Sequence, residues 1–267
     1  LIVTDNNALD QVLQHSASNA SHSKGFLHQL ESKLSYIAIA LVLTVSLAWA
    51  GAQYGVPWLA EKVAFRLNPN IENSIGNRVI SSIHESEIFK ESELDPATQQ
   101  RLLAQFAPLI EQLHLTTHFL NSPAVGANAF ALPAGHIIIT DQLVQLAEND
   151  KQVLAVFAHE AGHVERKHGM RTALSSSILA LAMMAISGDV TGLSGVIVTL
   201  PTLLIESGYS RNMEREADAF AVTWLRDNDI EPHHLADFLE KLSSDAGGDS
   251  NFLSTHPSTK ERINTIK

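Results

Sequence analysis

The stretch KQVLAVFAHEAGHVERKH, residues 151–168, decides the fold. Its apolar residues recur at helical spacing, which predicts an α-helix with a buried face. His159 and His163 are four residues apart, so on a helix both imidazoles point the same way and can reach one cation. Glu160 follows the first histidine and would lie beside the open side of that cation. Because unpaired polar groups are costly to bury, this face predicts a metal site with Glu160 as a general base.

Two imidazoles do not complete a zinc site, since catalytic zinc usually takes three protein ligands and keeps a fourth position for water. The metzincin extension of the motif needs glycine three residues and histidine six residues after His163. Those positions hold Arg166 and Gly169, so this extension is absent. His168 does not have the required spacing and is interpreted as a structural residue. The third ligand must come from elsewhere in the chain.

A second acidic segment, SRNMEREADAFAV at residues 210–222, is the candidate source of that ligand. On the predicted helix, Glu214 and Asp218 are four residues apart and share a face. One of them can bind the metal while the other fixes the orientation of a ligand imidazole. Glu216 points away from this face. Taken alone, the segment is more typical of a solvated charged helix, and only the H-E-x-x-H motif favours the metal site.

The composition narrows the classes of partner and of metal site. The 267 residues carry 18 basic and 29 acidic side chains, a formal net charge of −11, which provides no basic surface for a nucleic acid. There is no cysteine, so disulfides and thiolate metal sites are excluded and any metal must be bound by His, Asp or Glu. Charged residues make up only 18% of the chain and hydrophobic residues 45%, a balance that indicates a membrane segment.

The membrane segment is predicted between Lys33 and Glu61, where no residue is charged. A run of that length is enough for one transmembrane helix, which needs about 20 apolar residues. Three aromatic side chains near its C-terminal end are typical of a membrane interface: Trp49, Tyr54 and Trp58. A buried core helix and a cleaved signal peptide are the alternatives. Lysine and arginine are balanced on the two sides, so the orientation does not follow from charge.

Three regions follow from these patterns. Residues 1–33 form a polar leader, which is interpreted as flexible or as part of another domain. Residues 34–60 form the transmembrane anchor, and residues 69–267 form the metal-binding domain. That domain is expected to be mainly α with a small β-sheet (α+β), since NAFALPAGHIII at residues 128–139 predicts two short strands joined by a turn. Residues 172–205 are predicted to form a helical hairpin over the metal site, with shallow membrane contact as the alternative.

With these motifs in place, the chain resembles the membrane-associated gluzincin metallopeptidases, the family of HtpX, BepA, Oma-type and CAAX prenyl endopeptidases. Four segments match in the family's order, which is implausible by chance. They are NAFALPAGHI (residues 128–137), HEAGHVERKHG (159–169), SRNMEREAD (210–218) and HPSTKERI (256–263). Two departures do not affect the expected ligands: Ala134 stands where many members have glycine, and Lys167 where many have arginine.

The resemblance implies a zincin-like metallopeptidase domain that binds one zinc ion (Zn²⁺) per chain. The implied ligands are His159, His163 and Glu214. Asp218 would lie outside the ligand set and hold a ligand imidazole in place. Glu160 would take the proton from the water that attacks the peptide bond.

The resemblance also implies a role for one further histidine. His256, the histidine of the family's H-P-x-x-x-x-R-I motif, would stabilise the oxyanion, or would rotate onto the open zinc position and hold the enzyme latent. A turn histidine before Pro257 is the alternative. Apart from the resemblance, the strand at residues 128–132, which includes Asn128, Ala129 and Phe130, is expected to pair with an extended substrate by main-chain hydrogen bonds, which predicts broad sequence specificity.

The function implied is a membrane-anchored zinc metalloendopeptidase that hydrolyses peptide bonds of misfolded or membrane-associated proteins, as part of protein quality control. The expected partners are protein or peptide substrates and a membrane, with no nucleic acid. Similarity to single-anchor bacterial members implies a catalytic domain on the periplasmic side of the bacterial inner membrane. The alternatives are a chaperone-like or latent zinc-binding module whose open zinc position is blocked by His256, and a zinc hydrolase with a non-peptide substrate.

Overall fold

The structure is a computed structural model, and it describes residues 34–187, 208–244, 252–256 and 260–267. Two sequence predictions lie outside the described residues: the polar leader at 1–33 and the second half of the hairpin, beyond residue 187. Within the described residues the chain is mainly helical with one small β-sheet, which confirms the fold class expected from the sequence.

The chain divides into two compact units, Leu1–Gly55 and Val56–Lys267. The first unit is described by helix α1 (Leu34–Ala50) and a π-helical turn (Gly51–Gly55). The helices described in the second unit are α2 (Val56–Ala64), α3 (Pro69–Glu85), α4 (Pro96–Leu113), α5 (Asp141–Leu146), α6 (Asp150–Glu165), α7 (His168–Ser187), α8 (Arg211–Asp227), α9 (His233–Ser244), α10 (Phe252–Thr255) and α11 (Lys260–Ile266).

Helices α6 and α8, which carry most of the expected site residues, begin at side-chain caps. The Asn149 side chain accepts a hydrogen bond from the backbone N–H of Gln152 at the start of α6. The Ser210 hydroxyl accepts one from the backbone N–H of Met213 at the start of α8. Each cap satisfies a backbone N–H that the first turn of a helix leaves unpaired. These polar residues therefore fix where the two helices begin.

The sheet has four short strands in the order β1-β2-β4-β3. β1 (Lys90–Glu91) and β3 (Ala129–Ala131) lie at its edges, with β2 (Thr116–Asn121) and β4 (His136–Thr140) in the centre. β2 and β4 are parallel, while the other two pairs are antiparallel. β3 and β4 are joined by a 3₁₀ turn (Pro133–Gly135), so the two strands and the turn predicted at this place are present.

The turn contains one of the two departures from the family pattern. Ala134 has a φ of 63°, in the left-handed region, which a residue with a Cβ enters only at a cost of about 1–2 kcal/mol. Glycine avoids that cost, which gives a physical reason for the glycine that many similar chains have here. The turn packs on α3, where a Cβ on Gly76 would lie 2.5 Å from the Pro133 carbonyl oxygen. Gly76 therefore allows α3 to lie directly against the turn.

Helix α6 lies in the middle of the main core. Its residues from 152 to 163 are all buried, and it contacts α4, α8 and strand β3. The Phe157 ring stacks on Phe106 of α4, with ring centroids 4.1 Å apart and an interplanar angle of 6°. Full burial of a side chain of this size contributes about 1.5–3 kcal/mol. The core therefore fixes the position of the helix that carries the H-E-x-x-H motif.

Two helical segments among the described residues are long and apolar enough to cross a membrane by length and composition. They are Tyr36–Ala64 and His168–Ile186. The most apolar window of the first segment is 0% buried, and that of the second is 17% buried. The first segment extends beyond residue 60, because the charges of Glu61 and Lys62 do not by themselves end a helix.

Helix α7 covers the first part of the segment predicted to form a hairpin. It has 20 residues and begins four residues before that segment. It contacts α2 and α6, but Leu181, Met183 and Ile186 near its C-terminal end are exposed. Its sequence ILALAMMAI, residues 178–186, has no polar side that would restrict it to one buried face. The second half of α7 is therefore more exposed than the first half.

Candidate metal centre

Four buried side chains from three parts of the fold converge at one point. His159 and His163 lie on α6, Glu214 lies on α8, and His256 directly follows α10. One ligand atom from each lies within 4.8 Å of the others, and all four residues are at most 1% exposed. The structure thus brings together the three residues expected to bind zinc and the histidine expected to act beside them.

A glycine inside the H-E-x-x-H motif allows the two ligand helices to approach each other. A Cβ on Gly162 would lie 3.0 Å from both the Cα atom and the carbonyl oxygen of Ala217 on α8. These are backbone atoms of a packed helix, which cannot yield as the end of a flexible side chain would. Glu214 lies one turn before Ala217, so the close approach at Gly162 brings its carboxylate to the histidines. The sequence analysis did not single out Gly162.

The two imidazoles of α6 turn their Nε2 atoms toward Glu214. The Nε2 atoms of His159 and His163 are 3.1 Å apart. The Glu214 Oε2 atom lies 3.5 Å from Nε2 of His159, and Oε1 lies 3.4 Å from Nε2 of His163. The Nδ1 atom of His159 faces the other way and lies 3.0 Å from Asp218 Oδ1. Asp218 is therefore placed where a residue that orients a ligand imidazole must lie.

These donors suit a zinc ion. Atoms bound to a tetrahedral zinc ion at about 2.0–2.2 Å are about 3.3–3.5 Å apart, which is close to the separations between the three side chains. Burial alone would lower the pKa of His159, but the neighbouring carboxylates of Asp218 and Glu214 outweigh burial and raise the pKa to about 10. The buried carboxylates thus favour positive charge at this point, and a divalent cation supplies such charge.

Arg262 on α11 is a site residue that the sequence analysis missed. Its Nη1 atom lies 2.6 Å from Glu214 Oε2, and its Nε and Nη2 atoms donate to the Asp218 carboxylate at 2.7 and 2.8 Å. Burial alone would raise the pKa of Asp218, but the hydrogen bonds from Arg262 and the neighbouring His159 imidazole outweigh burial and lower it. A signal was present, because Arg262 is the arginine of the segment HPSTKERI.

Glu160 is fully buried beside the three expected ligands. Among the described residues, neither of its carboxylate oxygens accepts a hydrogen bond of ordinary geometry, and the His256 Nε2 atom lies 3.5 Å from Oε1. Burial raises the pKa of Glu160, although the neighbouring His256 and His159 oppose the shift. A carboxylate with a raised pKa is suited to take up a proton and to release it again.

His256 lies between the expected ligands and Glu160. Its Nδ1 atom is 3.1 Å from Glu214 Oε1 and 3.4 Å from His159 Nε2. Its ring stacks on Phe252, with ring centroids 4.5 Å apart, and its backbone N–H donates to the Phe252 carbonyl oxygen. His256 is therefore buried within the cluster and in contact with two of the expected ligands.

Tyr209 is a second residue that the sequence analysis missed. Its ring stacks on His163, with ring centroids 4.0 Å apart and an interplanar angle of 24°. Its hydroxyl donates to the Ala131 carbonyl oxygen at 3.1 Å, and its backbone N–H donates to the Thr255 carbonyl oxygen at 3.0 Å. Burial raises the pKa of Tyr209 well above its usual value, so the hydroxyl remains a donor. No spacing rule marks a tyrosine that reaches the site in this way.

The three predicted substrate-binding residues lie on or next to the edge strand β3. Asn128, Ala129 and Phe130 are at most 4% exposed. The Phe130 ring packs edge-on against Phe89, with ring centroids 6.3 Å apart. The backbone of Asn128 bonds to β4, and in an antiparallel pair alternate residues face away from the partner strand. The groups on the edge of β3 away from β4 are therefore the backbone groups of Ala129 and Ala131, not the three side chains. The Ala129 N–H donates to Asn128 Oδ1, and the Ala131 carbonyl oxygen accepts from the Tyr209 hydroxyl.

Known proteins with similar sequences fall in one family of peptidases. Residues 96–267, more than half of the chain, match Peptidase family M48. The chain is 34% identical over 149 residues to metalloprotease LoiP of Escherichia coli (strain K12), a match that covers 54% of this chain and 59% of LoiP. It is 34% identical over 148 residues to mitochondrial metalloendopeptidase OMA1 of Arabidopsis thaliana, covering 54% of this chain and 29% of that protein.

A third relative is the beta-barrel assembly-enhancing protease of Escherichia coli (strain K12), which is 28% identical over 158 residues, covering 51% of this chain and 31% of that protein. The match spans less than two thirds of the length of each of these three relatives. The matched family is the one that the four sequence segments indicated, so that resemblance is confirmed. The chain belongs to peptidase family M48.

Proposed function

We propose that the chain is a zinc-dependent endopeptidase that hydrolyses peptide bonds of misfolded or membrane-associated proteins. The observation that carries the proposal is the buried convergence of His159, His163 and Glu214 beside Glu160. A structural zinc site normally has four protein ligands and has no use for a carboxylate general base next to the first of them. The names of the relatives, all proteases or endopeptidases, support a peptide substrate.

Each residue of the cluster has a proposed task. His159, His163 and Glu214 would hold one zinc ion, with Asp218 accepting a hydrogen bond from His159 Nδ1. When bound, zinc would polarise the carbonyl group of the scissile bond and lower the pKa of water to about 7. Glu160 takes the proton from the attacking water and gives it to the leaving amine. Its raised pKa suits both transfers, because a buried carboxylate binds a proton more readily than an exposed one.

His256 is proposed to switch between two positions. In its present position it contacts Glu214 and His159, which would block the open metal position and keep the enzyme latent. Turned away from them, the imidazole would donate to the oxyanion of the substrate. His256→Ala is expected to speed up casein cleavage if blocking dominates and to slow it if oxyanion stabilisation dominates. Cleavage at the wild-type rate would contradict both roles.

The edge of β3 is proposed to bind an extended stretch of substrate through main-chain hydrogen bonds. The Ala131 carbonyl oxygen at this edge accepts a hydrogen bond from Tyr209, so a substrate strand would compete with the Tyr209 hydroxyl. Asn128 and Phe130 would support the strand from inside the fold. Ala129 would contact the peptide through its carbonyl oxygen, because its N–H donates to Asn128 Oδ1. Cleavage of a peptide library is expected to show broad specificity. A strict sequence requirement would rule out this mode of binding.

We further propose that residues 34–60 anchor the chain as a single span in a bacterial inner membrane, with the catalytic unit on the periplasmic side. The apolar length of the segment and the exposure of its most apolar window support the anchor. Protease added to spheroplasts of a Gram-negative host is expected to digest the catalytic unit. Digestion only after the membrane is broken would contradict the proposed orientation.

Metal content and proteolysis of the full chain in detergent test the proposed activity together. One zinc ion per chain is expected, and casein cleavage is expected to stop after chelation and to return with added zinc.

The second candidate is a latent or chaperone-like zinc module, which the contacts of His256 favour. Such a module would bind zinc as wild type without cleaving casein. A chain that binds no zinc would contradict both candidates.

A further inference from the structure

His168 contacts the side of His163 that faces away from the proposed metal. It is the first residue of α7 and is fully buried. Its Nδ1 atom lies 2.9 Å from the Nδ1 atom of His163, and its Nε2 atom lies 3.0 Å from Glu216 Oε2. Both ring nitrogens of His168 are therefore engaged, one by an expected zinc ligand and the other by a carboxylate. A role in packing alone does not account for these two contacts.

The hydrogen positions along these contacts follow from the metal side. His163 can bind a cation through Nε2 only if that nitrogen carries no hydrogen, so its hydrogen is on Nδ1. That Nδ1–H donates to Nδ1 of His168, which must then be the acceptor. The hydrogen of His168 is consequently on Nε2 and is donated to Glu216. Each hydrogen bond in the series thus sets the direction of the next.

Arg171 pairs with Glu216, the last residue in the series of hydrogen bonds that begins at His163. Its Nη1 atom lies 3.2 Å from Glu216 Oε2, and its Nη2 atom lies 3.0 Å from Oε2 of Glu61 on α2. The Glu216 side chain is 40% exposed, so the carboxylate would be free to turn into water without such a partner. The ion pair with Arg171 holds the Glu216 carboxylate beside His168.

The other imidazole of α6 has a comparable arrangement. The Nδ1 atom of His159 faces Asp218, and Arg262 bonds to that carboxylate through two nitrogens. Each ligand imidazole is therefore backed by a carboxylate that an arginine holds. The difference is that His163 reaches its carboxylate through a second imidazole, that of His168.

We propose that His168 is a positioning residue of the zinc site: it holds His163 in the tautomer and orientation that turn Nε2 toward the metal, and Glu216 in turn holds His168. The inference rests on the proposed zinc-binding role of His163. Partners that hydrogen-bond to ligand imidazoles typically change metal affinity by about 10–100-fold.

The zinc affinity of the full chain in detergent, measured by competition with a chromophoric chelator, tests the inference. His168→Leu fills the buried space without hydrogen bonds and is expected to weaken zinc binding about tenfold or more. His168→Asn returns an acceptor oxygen near the Nδ1 position and is expected to recover most of that loss. The unfolding temperature of the zinc-free protein is measured in parallel, because a merely structural role lowers that temperature without changing the affinity. Wild-type affinity in folded His168→Leu would overturn the inference.

A second test replaces two exposed residues, so that the conclusion does not depend on a substitution in the buried core. The side chains of Glu216 and Glu61 are 40% and 39% exposed, and both pair with Arg171. Glu216→Ala is expected to weaken zinc binding several-fold and Glu61→Ala to leave it unchanged; equal affinities would overturn the role of Glu216. If the wild-type chain binds no zinc, the proposed function fails. If wild type binds zinc and His168→Leu binds it equally well, only the present inference fails.

Discussion

Casein cleavage by Glu160→Gln is expected to be slower by about 10²–10⁴-fold, while one zinc ion per chain stays bound. Glutamine keeps the size of the side chain but cannot accept a proton from the attacking water. Zinc is expected to remain because the proposed ligands, His159, His163 and Glu214, are unchanged. The rate is measured with the purified chain in detergent, and zinc is measured by elemental analysis of the same sample.

Glu165→Gln is the matched control for this variant, since it removes the same charge from an exposed residue of the same helix. It is expected to cleave casein at the wild-type rate. The Glu160 carboxylate is buried without a hydrogen bond of ordinary geometry among the described residues, so a neutral side chain there should not lower the unfolding temperature. A Glu160→Gln protein that is folded, loaded with zinc and as fast as the control would remove Glu160 from the mechanism.

Local spacing explains why much of the site was predictable from the sequence. His159 and His163 lie on one face because four residues make about one helical turn, and Glu214 and Asp218 do so for the same reason. Both segments are helices, so sequence spacing translates into proximity within each of them. No local rule states that the two helices pack together. That part of the prediction came from the family resemblance, and its physical basis is the close approach at Gly162.

Contacts between distant segments were not predictable, because hydrophobic periodicity describes one element at a time. Arg262 reaches Glu214 and Asp218 from the last helix, and Tyr209 reaches Ala131 from the residue before the α8 cap. Each contact depends on how the helices are arranged around α6. The strands β3 and β4 were predictable from the turn between them, whereas β1, β2 and the strand order were not.

Arg262→Met is expected to lower the free energy of unfolding of the zinc-free chain by about 3–5 kcal/mol, a typical loss when one member of a buried ion pair is removed. The variant leaves two buried carboxylates, Glu214 and Asp218, without the guanidinium that contacts both of them. Methionine keeps much of the apolar volume of arginine, so the lost charge dominates the effect. The free energy is measured by denaturant unfolding of the full chain in detergent.

Arg101→Met is the control for this loss of charge. Arg101 bonds to Asp150 through two nitrogens, at 2.6 and 3.3 Å, but its side chain is 54% exposed, and ion pairs in water contribute little. No measurable change in stability is expected. Zinc should stabilise Arg262→Met more than it stabilises Arg101→Met, because a bound cation offsets the charge that Arg262 no longer offsets. If both variants lost the same stability and responded equally to zinc, the guanidinium of Arg262 would not be the group that balances Glu214 and Asp218.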